Sequence, residues 1–155
     1  MTNIEHLGLV PDPDFCVVLK EHNFPQTTRF FWVTSGILTA KQEEVWVLAT
    51  ADDLEIHGLK PGDRECFAAP VVEEFMKVTP PSHYVMHTRF GYIFVDLTRT
   101  KFSENTLDKT KNVSIAFFRI KEVDDARAVN CFAKGICYLL MKKEMAFKAP
   151  EAQIV

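Results

Sequence analysis

At 155 residues, 47% hydrophobic and 12% aromatic, the chain carries enough apolar side chain for one continuous core, which excludes a disordered tract and predicts a single globular domain over residues 1–155. Charged residues make up 25% and the net charge is −3, so no surplus of positive charge is available to neutralise phosphates and nucleic acid is not an expected partner. The opening "MTNIEHLGLVPDPD" lacks the basic start and apolar run of a signal peptide, and no apolar run of about eighteen residues occurs, so a cytoplasmic protein without a membrane span is expected.

In chain order, "VPDPDF" and "HNFPQT" predict a loop-rich beginning around the apolar "FCVVL", Phe15 to Leu19, as one short strand or helical turn. "TRFFWVTSGIL" and "EVWVLAT" are dense in β-branched and aromatic residues and predict strands over Thr28 to Leu38 and Glu44 to Thr50. Neither alternates in polarity, so both faces should be covered and both strands central. "ADDLEIHGLKPGD" reads as a turn, from Gly58, Pro61 and Gly62.

"APVVEEFMKVTPP" predicts a short helix with Pro70 at its first position, Val71, Val72, Phe75 and Met76 on the inner face, and Pro80 and Pro81 as its stop. "YVMHTRFGYIFVDLT" returns to strand composition, with Gly91 dividing it. "RTKFSENTLDKTKN" reads as the longest loop, and "VSIAFFRI" as another strand. In "EVDDARAVNCFAKGICYLLMKKEMAF", Val129, Phe132, Ala133, Ile136 and Leu140 recur at helical spacing. Asp124 or Asp125 is the expected cap there, and Lys142 and Lys143 suit the C-terminal end. The expected fold is therefore α/β of the α+β kind, a single mixed, mostly antiparallel sheet with two principal helices.

Phosphate loops of the G-x-x-x-x-G-K-[ST] and G-x-G-x-x-G kinds are absent and no cofactor is expected, and without a G-x-S-x-G elbow around Ser35 or any other serine an α/β-hydrolase of the usual form is excluded. Cys16, Cys66, Cys131 and Cys137 form no C-x-x-C pair and read as free buried thiols, with Cys131 and Cys137 on different helix faces. His83 and His87 have the i, i+4 spacing of a helical zinc pair, but on a strand the two stand about 13 Å apart, so no metal is expected and His83 becomes an ordinary surface residue. A thiol nucleophile at Cys66, near a helix N-terminus, with His57, His83 or His87 as base and Asp96 as its orienting carboxylate, is the catalytic candidate. Trp32 and Trp46 are either core or the wall of a ligand pocket, for which a cavity of about 300 Å³ or more is expected beside their strands. Phe30 and Trp32 should pack one face while Phe31 packs the other.

"FFWVTSGI", Phe30 to Ile37, resembles the strand-then-TSG stretch of the Suppressor of fused domain family. His87 and Thr88 are similar to its Gly-His-Thr, with Met86 at the glycine position, and "EVDDARAVNCFAKGICYLL" resembles its acidic stretch leading into a helix with a glycine before a leucine pair. The resemblance implies a mixed α/β domain that acts by binding proteins, in some bacterial members as immunity proteins to toxins. It makes His87 and Thr88 binding candidates. The expected function is a non-catalytic protein-binding module. Its acidic balance would steer a basic partner, and a sheet edge or the "TKFSENTLDKTK" segment would supply contacts. Two alternatives stand beside it: a small metal- or thiol-dependent enzyme using His57, His83, His87 and Cys66, and a carrier of a small ligand in an aromatic pocket.

Overall fold

A computed structural model describes residues 8–38, 44–63, 65–105 and 112–149. Pro13 occupies the first turn of helix α1 (Pro13–Glu21), where its missing N–H costs nothing. Strand β1 (Phe30–Leu38) pairs antiparallel with β2 (Glu44–Thr50) on one side and with β3 (Cys66–Ala69) on the other. Between β2 and β3 lies a helix the sequence did not predict, α2 (Ala51–Ile56). Thr50 begins it: its Oγ1 accepts from the Asp53 N–H at 3.2 Å while the Asp53 carboxylate accepts from the Thr50 N–H at 3.0 Å, a reciprocal cap. The expected turn follows, with Gly58 and Gly62 at φ +67° and +89°.

Helix α3 (Val72–Val78) starts later than expected. Pro70 precedes its cap at Val71, whose N–H is taken by Glu74 Oε1 at 2.9 Å. Only Phe75 of its predicted inner face is fully buried, and Met76 points outward. Strand β4 (His83–Thr88) then pairs with β5 (Gly91–Asn105), and β5 with β6 (Asn112–Arg119), all antiparallel. The predicted long loop is therefore strand in part: Lys101 to Asn105 lie opposite Ala116 to Asn112. Polar residues on a two-stranded extension need no apolar alternation, so composition hid it. Residues 106–111 lie outside the described residues. After a 3₁₀ turn (Lys121–Val123), helix α4 (Ala128–Met141) closes the fold. Arg127, not an aspartate, is its cap residue; Asp125 accepts instead from the Arg127 N–H at 2.8 Å, just upstream.

The α+β class is as expected, but the strands divide into two three-stranded sheets, β2–β1–β3 and β4–β5–β6, rather than forming one. The physical reason is α4. Ten of its fourteen residues are buried, too many for a helix with one wet face. Val129, Phe132, Ile136 and Leu140 pack with Leu19, Phe24 and Phe75, while Cys131 and Leu139 pack with Phe94 of β5. Two helices, α1 and α4, thus separate the sheets, and Cys131 and Cys137 do face different clusters. Their first turns are tied together: Asn130 and Asp12 exchange two hydrogen bonds, and Arg127 adds an ion pair to Asp12 at 3.1 Å.

In the first sheet Phe30, Trp32, Leu48, Phe67 and Ala69 face α1, while Phe31, Val33, Ala49, Cys66 and Ala68 face Leu54 of α2. Both faces of β1 and β2 are covered, yet β2 is an edge strand among the described residues. Burial above and below a sheet is set by the helices on it and carries no information about lateral neighbours.

Candidate functional site

The β4–β5 hairpin turns through two residues, Arg89 and Phe90, with Thr88 opposite Gly91. The Thr88 hydroxyl donates to the Gly91 carbonyl at 3.0 Å and accepts from the Phe90 N–H at 3.2 Å, so Thr88 closes the turn. Gly91 stands at φ +124°, and a Cβ there would lie 2.9 Å from the Asp125 carbonyl oxygen. Tyr92 and Asp125 exchange backbone hydrogen bonds of 2.8 and 3.1 Å, which fasten the base of the hairpin to the segment before α4. The turn is therefore held rigidly, and it presents Phe90 with 90% of its surface exposed and the Arg89 guanidinium 5.6 Å from the ring centre. His87 is exposed and stacks on Tyr92 at 4.6 Å.

Counting outward from that turn puts His83 opposite Asp96. His83 is not the surface residue the sequence suggested: its side chain is 9% exposed and its ring stacks on Phe94 at 5.5 Å. Its Nδ1 shares a hydrogen bond with the Ser82 hydroxyl at 2.8 Å, and its Nε2, 3.6 Å from Asp96 Oδ2, has no hydrogen-bond partner among the described residues. Burial works against ionisation of Asp96, yet its pKa lies below the ordinary carboxylate value. The Thr98 hydroxyl and N–H donate to Oδ1 at 2.5 and 2.9 Å, and His83 and Arg99 add favourable charge. Arg99, 3.5 Å from Asp96, reaches on to Glu144 at 3.3 Å and so ties β5 to the segment after α4.

The thiol of the catalytic candidate is elsewhere. Cys66 belongs to β3 in the other sheet, not to a helix N-terminus, and packs among Phe31, Val33, Ala49, Leu54 and Ala68. Burial, with Asp63 adding to it, pushes the thiol up to about 11, which keeps it protonated and unreactive near neutrality. His57 is the exposed residue after α2. Only Asp96 and His83 of the proposed catalytic set meet. Among the described residues no group of three or more His, Cys, Asp or Glu side chains could hold a metal ion.

The two tryptophans separate. Trp32 is core, its Nε1 donating to the Pro11 carbonyl at 2.9 Å under the start of α1. Trp46, on the same face of the sheet but out on β2, is half-buried and lies 4.8 Å from the Phe67 ring. It walls a cleft of about 610 Å³ shared with Val17, Lys20, Glu21, Glu65 and Phe67. That volume falls in the range of small-molecule sites. Sequence reasoning missed Phe67, Glu65, Lys20 and Glu21 because "CFAA" is too short and small-residue-rich to announce a strand. Once β3 is recognised, alternation alone places Phe67 on the Trp46 side. Phe90 was missed too, although a two-residue turn before glycine leaves its side chain nothing to pack on.

Among the described residues no helix is long and apolar enough to cross a membrane. No family model matches the chain, and neither a curated protein nor a solved structure does.

Proposed function

We propose that the chain is a non-catalytic protein-binding module of Suppressor of fused-like type, acting in the cytoplasm as an immunity or regulatory protein on a protein partner. The observation that carries this reading is Phe90. Its ring is 90% exposed with the Arg89 guanidinium beside it, and the backbone beneath it is fixed at Thr88, Gly91 and Asp125, so the side chain is offered outward on a preset turn. A preorganised aromatic anchor loses little entropy on docking, which is the property of interface hot spots. Arg89 beside it would pair with an acidic rim around the partner's socket. The four free, buried cysteines suit a reducing compartment. The test is affinity capture from the native host with the wild-type chain and with Phe90→Ser. A stoichiometric protein held by the first and lost from the second, at unchanged melting temperature, is expected; equal capture by both overturns the reading.

The cleft at Trp46 favours a second reading, a small-ligand carrier, because it joins an aromatic wall to charged groups in a volume that a small molecule fills.

A further inference from the structure

We infer that the cleft between α1 and the β2–β1–β3 sheet takes a small organic cation, a guanidinium or ammonium head on a short apolar stem; this rests on the carrier reading and names its ligand class. Four features converge. Trp46 leaves part of its indole open to the cleft, and indole has the strongest cation-attracting face among the side chains. Glu21 and Glu65 line the same space, both exposed, and neither has an ion-pair partner among the described residues. Glu21 is the last residue of α1, where the helix dipole already places negative potential, so this carboxylate adds to a field that disfavours it and favours a cation. Val17 and Phe67 supply apolar wall for a stem.

Among the described residues that line the cleft, Lys20 is the one opposing charge. It also lines the adjoining hollow formed with Phe24, Pro25, Gln26, Gly62 and Lys148, so its flexible stem has space to swing out of the cleft, with Lys148 the like charge it meets there. With Lys20 turned away, the charged groups left among the described lining residues are the two carboxylates, beside the indole face and the Thr34 hydroxyl, a balance that favours a cation over an anion.

The chain has only two tryptophans, and Trp32 is buried with its N–H engaged, so a change in fluorescence on ligand binding reports Trp46. The experiment titrates the full chain with butylguanidinium and, in parallel, with butyrate, which has a comparable stem and the opposite charge. Saturable quenching by butylguanidinium is expected, with a Kd on the order of 1 mM for so small a probe. It should weaken with added salt and by roughly fivefold or more in Glu21→Gln/Glu65→Gln. Lys20→Met should tighten it, and Trp46→Phe should remove the optical signal while NMR still detects binding. Melting temperature and the Trp32 signal verify that each variant is folded. Butyrate binding as well as or better than butylguanidinium, or an affinity within about twofold of wild type in the double variant, overturns the cation assignment and leaves the carrier reading standing. No saturable response to either probe overturns both.

Discussion

Gly135 sits where α4 crosses β5, and its replacement by alanine gives a direct measure of how closely helix and sheet are packed. A Cβ built at this position lies 2.4 Å from Phe94 Cδ2, 2.5 Å from Cε2 and 2.8 Å from Cγ. Carbon atoms rest at roughly 3.5 Å or more, so the helix and the ring must separate by roughly 1 Å. Neither can do so easily. Phe94 is fully buried in a central strand, and the opposite face of α4 is packed against Leu19, Phe24 and Phe75. Overpacking of this kind costs roughly 3 kcal/mol at the upper end of its range. Alanine returns about 1 kcal/mol of helix propensity over glycine. A net loss of about 2 kcal/mol follows, read by urea unfolding at 25 °C as a lower midpoint at unchanged slope. In a Phe94→Leu background the added methyl has space, so Gly135→Ala should cost little or stabilise. Stabilisation of the otherwise native chain by the full propensity gain, or a cost that is the same with and without Phe94, would refute so close a contact between α4 and β5.

Other expectations follow from the same structure. Asp96 has a depressed folded pKa, so its contribution is fully present above the unfolded carboxylate value of about 4 and is lost as pH falls through the lower folded value. Asp96→Asn should remove about 2 kcal/mol at neutral pH and flatten that acid limb, and an unchanged limb in stability measured against pH would refute the assignment. Thr50→Ala should cost about 1 kcal/mol through loss of the α2 cap, with Thr50→Ser retaining most of it, in the same urea assay. All four cysteines are buried, with Cys66 pushed up to about 11 and Cys131 and Cys137 to about 12. A chromogenic thiol reagent should therefore find none reactive within seconds in the native chain and four after denaturation; one fast native thiol would reopen a nucleophilic role.

The site was legible where it depends on local order. Thr88, a two-residue turn and Gly91 define the hairpin, and counting back from it pairs His83 with Asp96, the one contact of the catalytic candidate that the structure makes. That pairing also rules His83 out as a surface residue, because Asp96 is buried beside it. Cys66 could not be placed by such counting. Its distance from His83 depends on which sheet its strand joins, and four apolar residues say nothing about that.

Composition and periodicity by themselves determined the α+β class, the strand character of Phe30–Leu38, Glu44–Thr50 and His83–Thr88, and the long final helix, because each follows from neighbours a few residues apart. Tertiary structure alone decided the rest. A helix buried on two sides splits the strands into two sheets, and the choice between Trp32 as core and Trp46 as cleft wall turns on the position of α1. Pro11 and the start of that helix cover Trp32, while its far end, at Lys20 and Glu21, leaves Trp46 open. The two tryptophans are alike in local pattern, and what separates them is packing between segments distant in the chain.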